Sequence, residues 1–185
     1  MHHFYNLTTD RLTLRILDKS DANMLWPYVS NYEISRDMSW LPHQDISETQ
    51  EFIDSTLLDM EQGKNITWCI FLGNTFCGIF SLITILKKHR SLTYNRAELA
   101  YWIGPEFQGR GIMTEAGKKI IEFAFYELKL NKLIVGHHIS NKNSENLILR
   151  LGFHFQYEEM EVFMKNDEWI TCKFYELRRS DFINN

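Results

Sequence analysis

The chain has 185 residues, of which 44% are hydrophobic and 24% are charged, and this composition predicts one globular domain over residues 1–185. The formal net charge of −4 excludes a DNA-binding protein that depends on a broad basic surface, so we expect no DNA partner. Cys69, Cys77 and Cys172 lack the spacing of a disulfide framework or a zinc site, so we expect free thiols and no bound metal.

The N-terminal part of the sequence predicts a strand followed by a helix. Residues 11–17 alternate apolar and polar side chains, as in a strand with one buried face. The polar residues 18–21 can cap the helix that follows them. A less regular segment, residues 31–45, comes next and contains Trp40 and His43.

The next part of the chain predicts a second helix and a β-hairpin. Residues 47–50 read Ser-Glu-Thr-Gln, the pattern of a capping box, and Gly63 can end the helix that this box begins. Residues 67–72 and 75–86 are typical of the two hairpin strands, and the basic residues 87–90 are predicted to form a loop. The longest apolar stretch lies within the hairpin and is too short to cross a bilayer. With no recognisable signal sequence, we expect a cytoplasmic protein without a membrane partner.

The central part of the sequence predicts a strand, a glycine-bearing loop and a helix. Residues 97–103 alternate between two faces, and Gly104 and Pro105 end the strand. Apolar residues recur at helical spacing from Met113 to Leu128, which predicts an amphipathic helix. The loop and the start of the helix contain Gln108, Gly109, Arg110, Gly111, Ile112, Met113 and Thr114.

The two glycines of this loop predict a phosphate site. Glycine allows positive φ, so successive N–H groups can point at one anion beside the positive end of a helix. A dinucleotide fingerprint fits poorly because Thr114 stands where its third glycine would fall. A phosphate-binding loop for nucleotide hydrolysis also fits poorly, since Arg110 and Gly111 replace the required Lys and Ser or Thr.

The C-terminal part predicts one more strand and helix and then a strand pair. Residues 131–138 form the predicted strand, and residues 143–151 form the helix. Between them lies an Asn-x-x-Ser sequence, Asn141 to Ser144. Residues 154–164 and 168–177 predict a closing pair of strands, joined by a turn at residues 166–167.

Two of these motifs resemble the GNAT acetyltransferase superfamily. Residues 108–113 are similar to its acetyl-CoA signature, Q/R-x-x-G-x-G/A, except that Met113 replaces a small residue. Residues 141–144, followed by Leu-Gly-Phe at 151–153, are similar to its second motif. Residues 7–15 and 98–103 further resemble the RimJ/RimL-type N-terminal acetyltransferases of ribosomal proteins.

The resemblance implies an α/β (α+β) GNAT fold. Its sheet would be mixed, mostly antiparallel and twisted, with about seven strands that splay apart between strands 4 and 5, and about four helices would flank it. The implied reaction moves an acetyl group from acetyl-CoA, without a metal, to a primary amine such as a ribosomal-protein N-terminus. A small amine such as a polyamine, aminoglycoside or metabolite is an alternative acceptor. A non-catalytic acyl-CoA-binding module is the other alternative, and the protein would be a monomer or a homodimer.

The resemblance also implies roles for particular residues. Glu98 would be the general base and contact the amine, and Ser144 would protonate the thiolate or, alternatively, cap the helix that follows it. The position of a tyrosine acid in many GNAT enzymes is Ile148 here, which excludes that acid. Trp40 and His43 would contact the acceptor or form an aromatic plug. The implied cofactor-binding residues are Trp102, Ile103, Gln108, Gly109, Arg110, Gly111, Ile112, Met113, Thr114, Asn141 and Ser144.

Overall fold

The computed structural model describes residues 5–183 as one eight-stranded sheet with helices on both faces. The strands are β1 (Leu7–Thr8), β2 (Leu12–Ile16), β3 (Ile66–Leu72), β4 (Thr75–His89), β5 (Leu92–Ile103), β6 (Lys132–His138), β7 (His154–Lys165) and β8 (Glu168–Arg178). The α-helices are α1 (Ala22–Val29), α2 (Tyr32–Ser35), α3 (Ile46–Glu61), α4 (Ile112–Tyr126), α5 (Lys142–Arg150) and α6 (Arg179–Ile183).

The strand order is β1-β2-β3-β4-β5-β6-β8-β7, and every neighbouring pair is antiparallel except β5 and β6. This mixed, mostly antiparallel arrangement confirms the predicted fold class. The two-residue strand β1 and the short helices α2 and α6 are additions to the predicted elements.

The two parallel strands β5 and β6 separate part-way along their length. They pair from Arg96 with Lys132 up to Leu99 with Val135. Beyond that pair β5 continues to Ile103, while β6 continues to His138 and pairs only with β8. The predicted splay between the fourth and fifth predicted strands, which are β5 and β6 of the structure, is therefore confirmed. It leaves one edge of β5 without a strand partner among the described residues.

The sheet has a buried apolar cluster on each face. On one face α4 packs on the sheet through side chains such as Ile120 and Phe125, both fully buried. On the other face Leu25 of α1 and Ile53 of α3 pack around Trp102. Because successive strand residues point to opposite faces, Tyr101 and Ile103 belong to the α4 side and Trp102 to the α1 side.

Several local predictions are wrong. Residues 87–89 continue strand β4 rather than forming a loop, because they pair with the first residues of β5. Helix α3 is capped by Asp45, whose carboxylate accepts a hydrogen bond from the Ser47 N–H at 2.8 Å, so the capping motif lies two residues before the predicted one. Likewise Asn141, not Ser144, caps α5.

Candidate active site

A cavity of about 910 Å³ lies at the end of β5, where this strand has separated from β6. Its walls come from β5, from the first turns of α4 and α5, and from the segment around α2. Ten residues with a predicted role line it: Trp102, Ile103, Gln108, Gly109, Gly111, Ile112, Met113, Thr114, Asn141 and Ser144. The sequence motifs that lie far apart along the chain thus meet at one cavity.

The glycine loop forms one end of this cavity. Gly109 and Gly111 have φ values of 72° and 74°, in the left-handed region that favours glycine. Within residues 5–183 no side chain caps the N-terminus of α4, so its first N–H groups remain available to an anion. A Cβ built on Gly109 would meet nothing within 4 Å, which shows that the loop is open on that side. The loop is therefore open to an anion such as a phosphate.

A side-chain network holds this loop against the turn between β1 and β2. The Arg11 guanidinium bonds the Glu115 carboxylate at 2.7 Å and donates to the Arg110 carbonyl at 3.3 Å. Thr9 also donates to Glu115. Although burial opposes it, hydrogen bonding by Thr9 and Arg11 keeps the pKa of Glu115 below its ordinary value. The positive charge of Arg11 offsets the negative charge of the Glu115 carboxylate, which lies near the predicted phosphate site.

Arg110 and Met113 differ in their relation to the cavity. Arg110 does not line it, and its guanidinium lies 5.7 Å from the Phe107 ring centre. Met113, which replaces a small residue of the motif, is buried in the core on the α4 face and also lines the cavity.

The other end of the cavity contains a hydroxyl pair that the sequence analysis missed. The Tyr101 hydroxyl lies 2.8 Å from the Ser144 hydroxyl, and both side chains line the cavity. Burial raises the pKa of Tyr101 to about 12. Strand alternation puts Tyr101 on the same face as Ile103. Its contact with Ser144 of α5 depends on the separation of β5 from β6, which the alternation does not predict.

Helix α5 fixes the position of Ser144. The Asn141 side-chain oxygen accepts a hydrogen bond from the Ser144 N–H at 3.0 Å. Ser144 therefore lies in the first turn with its hydroxyl free of a capping role. One turn further on, Ile148 is fully buried in the core.

Glu98 lies on the opposite face of β5 from Tyr101, and it does not line the cavity. It is half-buried and pairs with Ile134 just before the strands separate. Within residues 5–183 its carboxylate has no ion-pair partner. A proton could reach it from the cavity only through water.

Trp40 and His43 also lie outside the cavity lining. Their rings are 5.8 Å apart, and His43 is 6.2 Å from the Phe52 ring. The His43 Nδ1 atom lies 2.9 Å from the Thr49 hydroxyl, and burial lowers the pKa of His43. Both aromatic residues thus occupy a cluster next to α3, as the plug alternative describes.

Charged residues of α2 and of the segment after it also line the cavity. Arg36 bonds Glu33 at 2.9 Å and approaches Asp37 at 3.7 Å. Asp37 is also 3.9 Å from the His138 Nδ1 atom. The Lys165 ammonium holds this segment by donating to three of its carbonyls, including that of Met38 at 2.7 Å.

The backbone of β5 supplies a further group. The Gly104 N–H donates to the Cys77 carbonyl at 2.8 Å, on the β4 side. Because strand N–H groups alternate in direction, the Trp102 N–H also faces β4, and the Ile103 N–H faces the splay. The backbone N–H of Ile103 can therefore donate a hydrogen bond into the cavity, whereas that of Trp102 cannot.

Among residues 5–183 no three His, Cys, Asp or Glu side chains are grouped to hold a metal ion. The same part of the chain contains no helix long and apolar enough to span a membrane. Its three cysteines are free and buried.

A splayed mixed sheet and an open glycine loop at the start of a helix together define the class of the protein. Residues 11–154 match the acetyltransferase (GNAT) domain, and the chain therefore belongs to this family. It is an acetyl-CoA-dependent N-acetyltransferase.

Individual relatives differ in the acceptor that their names give. A protein of Bacillus subtilis (strain 168), provisionally named the ribosomal N-acetyltransferase YdaF, is 28% identical over 149 residues, covering 78% of each chain. The spermidine N(1)-acetyltransferase of Escherichia coli (strain K12) is 26% identical over 156 residues, covering 84% of this chain and 80% of that one. The structure of RimL, a ribosomal L7/L12 α-N-protein acetyltransferase in complex with CoA, matches with a TM-score of 0.86 at 20% identity. The match covers 95% of this chain and 98% of that one. The resemblance to the RimJ/RimL-type branch is confirmed.

Proposed function

We propose that the acceptor is the N-terminal α-amine of a protein, of the ribosomal-protein type. The charge balance around α2 is the observation that carries this proposal. Arg36 bonds Glu33 and approaches Asp37, so the three side chains together carry a single net negative charge, and the apolar side chains of Ile34 and Met38 line the same wall. A peptide end, with one amine and neutral neighbouring residues, fits such a wall better than a chain of several ammonium groups does.

The ordinary pKa of an α-amine also suits this site. It is about 7.7 to 8.0, so a substantial fraction is neutral near pH 7.5, whereas a lysine amine at about 10.4 is almost wholly charged. A base that acts through water, as Glu98 would, is sufficient for an α-amine. We retain Glu98 as the general base on this ground.

We propose direct attack in a ternary complex. The amine nitrogen bonds the thioester carbonyl carbon, and the Ile103 N–H stabilises the negative oxygen that forms. Glu98 accepts the proton that the nitrogen loses, through water. The carbon–sulfur bond then breaks, and Ser144 donates a hydrogen bond to the sulfur. The thiolate takes up a proton from water and Glu98 returns its proton to water, so the products are the acetylated amine and the CoA thiol with no net change in protons.

The proposed CoA-binding roles belong to residues that line the cavity. The N–H groups of the glycine loop and of the first turn of α4 would hold the pyrophosphate, with Gln108 and Thr114 beside it. Asn141 lies at the start of α5, where its amide N–H₂ remains free to bind the pantetheine arm. Trp40 and His43 pack against each other and against Phe52, which does not support a role in binding the acceptor.

A polyamine is the second candidate acceptor, because a relative at 26% identity is a spermidine acetyltransferase. The two candidates differ in kcat/KM. We expect peptides with ribosomal-protein N-termini to be acetylated at the α-amine and the same peptides with a blocked N-terminus to be inert. A kcat/KM for spermidine above that of every peptide would contradict the α-amine proposal.

The role of Glu98 has its own test. We expect Glu98→Gln to lower kcat by about 10² to 10⁴-fold, the usual contribution of a general base, with CoA affinity unchanged. Asp37→Asn is the comparison variant, because Asp37 is a carboxylate that lines the cavity, which Glu98 does not. A larger loss of kcat in Asp37→Asn, with Glu98→Gln near wild type, would move the base to Asp37.

We also propose that the enzyme acts in the cytoplasm, where free thiols such as its three buried cysteines persist. Cell fractionation checks this location. We propose a monomer or a homodimer, which sedimentation distinguishes.

A further inference from the structure

We propose that Tyr101 is a positioning residue for the leaving group: its hydroxyl donates to Ser144 and thereby directs the Ser144 O–H towards the sulfur of CoA. This inference rests on the proposed function, because it requires the CoA sulfur to lie beside Ser144. It adds to the mechanism a phenol that enters the site from strand β5. In many related enzymes a tyrosine would occupy position 148, on helix α5, where this chain has a buried Ile148.

The geometry fixes both partners. The two hydroxyl oxygens are 2.8 Å apart, within ordinary hydrogen-bond distance. The Phe80 ring lies 5.0 Å from the Tyr101 ring and restrains it, while Asn141 holds the Ser144 N–H. Neither hydroxyl therefore needs to move to keep the contact.

The direction of the hydrogen bond follows from counting partners. Each hydroxyl has one proton to donate and can also accept. Within residues 5–183, Ser144 is the hydrogen-bond partner of the Tyr101 hydroxyl. If Ser144 were the donor, no protein group within residues 5–183 would accept the phenol proton. With Tyr101 as donor, the phenol proton is bonded to Ser144, and the Ser144 proton is left for a ligand in the cavity.

The protonation state of Tyr101 agrees with this direction. Burial raises its pKa to about 12, so the phenol keeps its proton over the whole neutral range. A phenol of such high pKa is a poor acid towards a thiolate but remains a reliable hydrogen-bond donor. A hydrogen bond to a charged acceptor is roughly twice as strong as one to a neutral acceptor. The pair therefore stabilises the thiolate rather than the thiol.

The test compares the binding of CoA with that of desulfo-CoA, which lacks the thiol, by calorimetry between pH 7 and pH 9.5. The charged residues of the cavity, among them Lys118, Arg150, Asp37 and Glu115, face both ligands equally, so their titration cancels in the affinity ratio. We expect the wild-type ratio to rise with pH as the thiolate forms. Tyr101→Phe should reduce the ratio at pH 9.5 by about 3- to 10-fold, the value of one hydrogen bond.

Three further proteins complete the test. Ser144→Ala should reduce the ratio at least as much, and Tyr101→Phe in that background should add nothing, because Tyr101 acts through Ser144. Tyr157→Phe, at an exposed position on β7, should match the wild type. An unchanged ratio in Tyr101→Phe, a wild-type ratio that does not rise with pH, or additive losses in the double variant would overturn the inference. Failure of the wild type to bind either ligand would instead overturn the proposed function, and this inference with it.

Discussion

Asn141 has two separable roles, and substitutions at this position can measure each of them. Its side-chain oxygen caps α5 through the Ser144 N–H at 3.0 Å, while its amide nitrogen is proposed to bind pantetheine. Loss of an N-cap costs about 1 kcal/mol, within a range of roughly 0.5 to 2. For a domain of this size that cost corresponds to a fall in the melting temperature of about 2 to 4 °C.

Asn141→Ala removes both groups, whereas Asn141→Asp keeps the capping oxygen and removes the amide nitrogen. We therefore expect Asn141→Ala to lower the melting temperature and weaken CoA binding. Asn141→Asp should melt near the wild type but bind CoA about 3- to 10-fold more weakly, the value of one lost hydrogen bond. Calorimetric titration with CoA and thermal unfolding measure the two effects.

Asp45→Ala is the matched control, because Asp45 caps α3 in the same way but lies outside the cavity. It should cost a similar amount of stability without changing CoA affinity. If Asn141→Asp bound CoA as tightly as the wild type, Asn141 would be a cap alone. If Asp45→Ala weakened CoA binding equally, the loss would follow from general destabilisation.

Three other predictions concern specificity, packing and pH. Arg36→Gln should raise kcat/KM for spermidine relative to a peptide, because it frees the charges of Glu33 and Asp37; an unchanged preference would contradict the charge-balance reasoning. Gly78→Ala should destabilise the protein by more than the roughly 1 to 3 kcal/mol of ordinary overpacking, because the new Cβ would lie 2.3 Å from the Trp102 carbonyl oxygen. Gly136→Ala should destabilise it less, because its Cβ meets the movable Phe174 ring at 2.8 Å. Urea unfolding of both variants checks this order. Hydrogen bonds from Lys142, Lys173 and Tyr175 lower the pKa of Glu145 to about 2 from 4.5, so its stabilisation is present above about pH 4.5 and is lost as pH falls towards 2. The melting temperatures of wild type and Glu145→Gln should therefore converge on acidification, and a constant difference would refute this.

Much of the fold could be predicted because the relevant signals are local. Alternating side chains marked the strands, and the glycines at 109 and 111 marked a loop whose positive φ values the structure has. The motif around Asn141 and Ser144 fixed the place of the second half of the site. These signals depend on backbone conformation within a few residues, which the sequence encodes directly.

Local patterns failed where a nearby alternative competed. Residues 87–89 carry charges typical of a loop, yet they continue β4 because β5 offers them a pairing edge. The Ser-Glu-Thr-Gln sequence resembled a capping box, but Asp45, two residues earlier, took the capping position. In each case a hydrogen-bond partner outside the motif decided the outcome.

The sequence by itself determined the strand and helix periodicity, the glycine loop and the absence of a tyrosine at Ile148. Only the tertiary structure decided which side chains share the cavity. It placed Tyr101 against Ser144, and it left Glu98, which strand alternation already puts on the opposite face from Tyr101, outside the cavity lining. The physical reason is that the cavity forms where β5 and β6 stop pairing, beyond Leu99 and Val135. Which strands pair, and how far, cannot be read from the residue pattern of either strand alone.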